Sequence, residues 1–185
     1  MADAFGPAIA MLETSSIARG IEATDAMLKR AAVELLLTTI VPRGKYLVLI
    51  GGDVADVEAS LRAGRETAAN TVVDEFLIQN VHPQLPAAIK GKVKVPGLEA
   101  VGIIETKEVA SAIYAGDAAA KAANVTLIEA RNQPGAKGMV VLTGDVGAVR
   151  SAVAAGVAAI HKDGMLIAEV VIPFAHPGLA KSLTT

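Results

Sequence analysis

The chain has 185 residues, 52% of them apolar and only 3% aromatic, with a formal charge of −2 and no cysteine. That balance excludes nucleic acid as the main partner, because phosphate binding needs concentrated Lys and Arg and single strands need aromatic stacking platforms. The missing thiols exclude disulfides, thiolate-held zinc, cysteine-ligated iron–sulfur clusters and a cysteine nucleophile together.

At the N-terminus, Met1-Ala2-Asp3-Ala4-Phe5-Gly6-Pro7 lacks the basic start and long apolar core of a secretory signal. No stretch is apolar for the roughly 18 residues that a spanning helix requires, so a soluble cytoplasmic protein with no membrane contact is expected. Ala8 to Glu13 is apolar up to its carboxylate and reads as a strand buried on both faces. Thr14-Ser15-Ser16 supplies helix N-caps. From Ile17 to Ala31 the apolar residues Ile17, Ile21, Ala23, Met27, Leu28 and Ala31 recur at helical spacing, with Glu22, Asp25, Lys29 and Arg30 largely off that face. A second strand spans Val33 to Ile40, a Pro42-Arg43-Gly44 turn follows, and Tyr46 to Ile50 makes a third strand. Asp53 is placed to cap a helix running to about Thr67, and Thr71 to Val81 makes a fourth strand closed by His82-Pro83. The Lys-, Gly- and Pro-bearing stretch 87–99 reads as a solvated linker.

The order then restarts at Ala100 with a constant offset of 92. Glu13 meets Glu105, Asp25 meets Asp117, Lys29 meets Lys121, Val33 meets Val125, Pro42 meets Pro134, Lys45 meets Lys137 and Asp53 meets Asp145. Roughly a third of the positions from Ala8 to Gly64 are identical under that shift, a density that marks an internal repeat. After Gly64 the second half carries two extra residues, so His82-Pro83 meets His176-Pro177. The expected fold class is α+β: two tandem ferredoxin-like β-α-β-β-α-β domains at 1–86 and 100–185, joined by the linker 87–99.

Four segments carry a resemblance to a known family: Met11-Leu12-Glu13-Thr14-Ser15-Ser16-Ile17-Ala18-Arg19-Gly20, Asp25-Ala26-Met27-Leu28-Lys29, Gly144-Asp145-Val146-Gly147-Ala148-Val149-Arg150 and Ile172-Pro173-Phe174-Ala175-His176-Pro177. In this order the chain resembles tandem-domain bacterial microcompartment shell proteins, of the unpermuted trimeric kind and most like the propanediol-utilisation T-type subtype. The resemblance implies a pseudohexameric homotrimer that tiles into protein sheets with other shell proteins. It also implies a central pore for small metabolites, lined by the loops Ile40, Val41, Pro42, Arg43, Gly44 and Asn132, Gln133, Pro134, Gly135, Ala136. Three copies of each loop would bring Arg43, Lys45, Arg131 and Lys137 near the axis and make a mildly cationic vestibule. Lys29 and Lys121 take the place of the family's edge lysine, while the arginine common before the terminal His is replaced by Asn80-Val81 and Phe174-Ala175. In the look-alike subtype a loop cysteine holds an iron–sulfur cluster. Here that position falls on Pro42, or on Val41 with a one-residue slip, so no cofactor is expected.

The remaining chemistry-bearing residues read as structural. Gly51-Gly52-Asp53 and Gly144-Asp145 lack the spacing of a phosphate loop, and an N-cap Asp repels an anion. His82, His161 and His176 have no second ligand at metal-like spacing. Glu13 and Glu105 could be imagined as acid and base, but no nucleophile accompanies them and no enzymatic role is expected. Two alternatives stay open: a redox shell protein with a cofactor in its pore, and a ferredoxin-like regulator that senses a small molecule.

Overall fold

A computed structural model describes residues 5–160 and 164–184, so His161 lies outside the described residues. The first repeat runs β1 (Ala8–Thr14), α1 (Ile17–Arg30), β2 (Glu34–Val41), β3 (Lys45–Gly52), α2 (Val54–Ala68) and β4 (Val72–Ile78). A short helix α3 (Leu85–Lys90) follows. The second repeat runs β5 (Ala100–Thr106), α4 (Val109–Ala122), β6 (Thr126–Gln133), β7 (Lys137–Gly144), α5 (Val146–Ala158) and β8 (Leu166–Ile172), and α6 (Gly178–Thr184) ends the described chain.

Each repeat makes one antiparallel four-stranded sheet, ordered β2-β3-β1-β4 in the first and β6-β7-β5-β8 in the second. The continuous apolar run of β1 is explained by its place. It pairs with β3 on one side and β4 on the other, and all seven of its residues are buried. The repeat extends to irregularities: a register shift between Leu35 and Leu37 recurs between Leu127 and Glu129, and one at Glu13/Thr14 recurs at Glu105/Thr106. β4 stops at Ile78 instead of running to Val81, because Ile78 already faces Ile9 near the start of β1 and the ladder runs out.

Ser16 caps α1, its hydroxyl accepting from the Arg19 N–H at 3.4 Å, and Lys29 and Arg30 close the helix where its dipole favours cations. Met27 and Ala23 enter a core with Leu12, Val48, Ile50, Val57 and Leu61. Gly64 of α2 keeps this core tight, since a Cβ there would lie 2.6 Å from the Met27 side chain. The two Asp corners differ. Asp145 accepts N–H bonds from Gly147 and Ala148 at 2.8 and 3.4 Å, whereas Asp53 occupies the cap position of α2 without a side-chain bond to the helix.

The contacts divide the chain into two units, residues 1–81 with 134–136, and residues 82–133 with 137–185. The stretch expected as a plain linker from 87 starts inside α3, whose Leu85, Ala88 and Ile89 are buried. This helix packs on β6 and α4 of the second unit, so its apolar residues are held by burial.

Candidate functional site

The two hairpin loops share one backbone design. Pro42 starts the first turn, and Arg43 and Gly44 both take left-handed conformations, φ 70° and 71°. One repeat later Gly135 and Ala136 take φ 84° and 60°. Each loop therefore places a side-chain-bearing residue where left-handed backbone costs roughly 1–2 kcal/mol, Arg43 in one and Ala136 in the other. Such a cost is retained only where the surroundings over-determine the turn.

Of the ten loop residues expected to line a pore, Pro134–Ala136 group with the first unit, which also holds Ile40 to Gly44. The Lys45 ammonium, just after the first turn, donates to the Ala136 carbonyl at 3.2 Å, and Ala136 is buried. Ile40 is exposed and Val41 buried. Asn132 and Gln133 are half-buried, and among the described residues the Gln133 Nε2 has no hydrogen-bond partner.

Electrostatically the loops differ from the expected cationic vestibule. Lys45 pairs with Glu13 at 2.5 Å, and the Glu13 side chain is 0% exposed. Lys137 pairs with Glu105 at 2.6 Å, and Arg131 with Glu129 at 3.1 Å. Three of the four expected cations are thus offset by a carboxylate: each strand bearing a Lys lies beside the strand bearing its Glu, and Arg131 and Glu129 share β6. Arg43 is exposed, and among the described residues no salt bridge is found for it. The Glu-to-Lys separation is 32 residues in both halves, and this repeated spacing was the available signal for the pairs.

Lys29 lies exposed on α1, 2.6 Å from Asp25, and Lys121 pairs with Asp117 on α4. Asp117 does more, accepting the backbone N–H of His82 at 2.8 Å. At the positions where an arginine would stand, Asn80 is exposed and Phe174 is 84% exposed with φ 55°. The histidines before proline act as turn acceptors: His82 Nδ1 takes the Gln84 N–H at 3.4 Å, and His176 Nδ1 takes the Gly178 N–H at 3.1 Å.

Among the described residues no group of three or more His, Asp or Glu is placed to hold a metal ion. A cysteine-held cluster does not fit this chain either: the candidate positions carry Pro42 and the buried Val41, neither with a thiolate to offer.

Comparison with known proteins places these features. The family model for the BMC domain matches residues 8–81 and again 100–175. The chain is similar to the bacterial microcompartment shell protein PduT of Citrobacter freundii, 39% identical over 178 residues, which is 95% of this chain and 97% of that protein. It is also similar to the shell protein PduA of the same organism, 42% identical over 85 residues, 46% of this chain and 91% of that one. Among solved structures, a microcompartment protein from Desulfitobacterium hafniense superposes with a TM-score of 0.81 at 49% identity, covering 94% of this chain and 98% of its own.

Proposed function

We propose, from the premise that this chain belongs to the BMC-domain family of bacterial microcompartment shell proteins, that three copies close into a six-domain ring. The chain is a structural shell component, and the relatives matched along it are shell proteins rather than enzymes. The regulator alternative gives way to that assignment.

The observation that carries the ring is the tandem repeat itself. Two units with the same strand order, the same register shifts and the same turn are two equivalent pieces on one chain, and in this reading three such chains close a ring of six. In this reading the loops Ile40 to Gly44 and Asn132 to Ala136 line the axial opening. Arg43 supplies its net positive charge, so small anionic or polar metabolites pass more readily than cations. The opening holds no iron–sulfur cluster, for want of thiolates. The rings tile with other shell proteins in the bacterial cytoplasm, with Lys29 and Lys121 along the tile edges.

Removing the edge lysines tests the tiling. Lys29→Ala takes a long stem and its charge from an exposed helix position, and Lys121→Gln shortens the second stem while leaving a donor for the buried Asp117, so the ring should survive and sheets should fail to form. Electron microscopy beside sedimentation reads both at once. Unchanged sheets would remove these lysines from the edge.

A further inference from the structure

The two units carry the same face in opposite states. On α1, Ile21, Asp25 and Leu28 follow the four- and three-residue spacing that puts them on one side of the helix. With Leu35 of the neighbouring β2 they make an apolar patch around one carboxylate. The equivalents one repeat on are Ile113, Asp117, Ala120 and Leu127. Ile21 is 54% exposed and Leu35 45%, whereas Ile113 and Leu127 are each 1% exposed. Residue type does not explain this, since both positions hold the same amino acid in both halves. What differs is a cover.

In the second unit the cover is the segment from His82 to Lys90. The Asp117 carboxylate accepts the His82 N–H at 2.8 Å. Gln84 clips the edge of β6, donating to the Val125 carbonyl at 3.0 Å and accepting the Leu127 N–H at 2.8 Å. Helix α3 lies on β6 and α4 with Leu85, Ala88 and Ile89 buried. The repeat supplies a second such segment, with His176, Pro177, Leu179 and Leu183 standing for His82, Pro83, Leu85 and Ile89. It even folds its turn the same way, with the His ring accepting the N–H two residues on. Yet α6 contains no buried residue, and its Leu179 and Leu183 are only partly buried against their own unit. The first unit has the bare face, and the second ends in a matching segment whose Leu179 and Leu183 pack on their own unit yet stay half-exposed, with the Ser182 carbonyl accepting from the Lys92 ammonium at 2.8 Å.

We infer that a second copy of this chain lays its segment from His176 to Thr184 on the α1–β2 face of the first unit. Leu179 and Leu183 cover Ile21, Leu28 and Leu35, and the His176 N–H bonds the Asp25 carboxylate. The inference rests on the ring reading and names its seam. The contact is heterologous, face to tail, so it propagates in one direction and ends only when the ring closes. One element of the covered unit is missing from it: Gly178 stands where Gln84 clips the strand edge, so the backbone of β2 at Val33 and Leu35 lacks that clip. The free ring seam is therefore weaker than its covered equivalent.

The full-length chain tests this by sedimentation equilibrium and cross-linking. Leu35→Glu alters an exposed residue and should leave the far-UV spectrum unchanged while raising the half-dissociation concentration of the ring by about 100-fold or more, as loss of a central seam residue does. Leu179→Asp should do the same from the other side. Gly178→Gln, which restores the clip, should tighten the ring several-fold. Mixing the Leu35→Glu and Leu179→Asp chains leaves one intact face and one intact tail, so a one-to-one pair and nothing larger should be captured. A wild-type ring with a Leu35→Glu variant equally stable would overturn the seam and leave the ring standing. Dissociated variants that form no pair on mixing would overturn the face-to-tail assignment. A wild-type chain that never oligomerises would overturn both.

Discussion

Lys45→Met is expected to destabilise the protein by about 3–5 kcal/mol, a large part of the 5–15 kcal/mol that holds an ordinary domain together. The Glu13 carboxylate is 0% exposed and sits 2.5 Å from the Lys45 ammonium. Removing the cation leaves a buried carboxylate without the charge that neutralises it, and that uncompensated burial dominates the cost. The Ala136 carbonyl, which accepts from the same ammonium at 3.2 Å, also loses its donor, so the second loop should loosen along with the core. Glu13→Leu combined with Lys45→Met removes both charges and should recover most of the loss. Urea midpoints at one fixed chain concentration check the cycle, fixed because assembly shifts apparent stability. A single Lys45→Met variant as stable as the parent would mean the pair carries no such burden.

Gly138→Ala is expected to cost about 1–3 kcal/mol, with the upper end favoured because one of the obstacles is backbone. A Cβ at 138 would meet the Ala112 Cβ at 2.5 Å, the Glu108 carbonyl oxygen at 2.6 Å and the Thr106 hydroxyl at 2.6 Å. The first half solves the same helix-to-strand crossing in the reverse way. There the strand carries Tyr46 and the helix carries Gly20, whose missing Cβ would fall 2.5 Å from the tyrosine ring. Volume is thus held on the helix in one unit and on the strand in the other. Gly97→Ala provides the control, since nothing lies within 4 Å of a Cβ there, and its effect should stay within about 0.5 kcal/mol. Thermal unfolding of the two variants side by side separates crowding from the loss of a glycine.

Most of the fold was legible because it is written twice. The 92-residue offset, the continuous apolar run of β1 and the Pro-Gly turns are local signals that survive repetition, and the register shifts show how closely the backbone follows them. The misreadings come from covers, pairings and lengths that periodicity alone does not report. Periodicity put Ile21 and Leu28 on the apolar stripe of α1, yet both are exposed in the folded chain, because a stripe records that a face is apolar and not what covers it. Lys45 and Lys137 were expected to lend charge to a vestibule, but strand pairing sets each beside a glutamate 32 residues away. Helix α3 is six residues long, under two turns, too short for periodicity to show beside Pro86 and the lysines that follow. Asp53 and Asp145 have the same neighbours in sequence, but only Asp145 turns its carboxylate onto the helix N–H groups.

The most direct test of the account is electron microscopy of the purified wild-type protein, with the number of chains per particle counted by native mass spectrometry. Three chains forming one ring with apparent sixfold outline, an axial opening bordered by the Pro42 and Pro134 loops, and rings joined into flat sheets are the expected result. A monomer, a dimer, or a compact oligomer without an axial opening would contradict it.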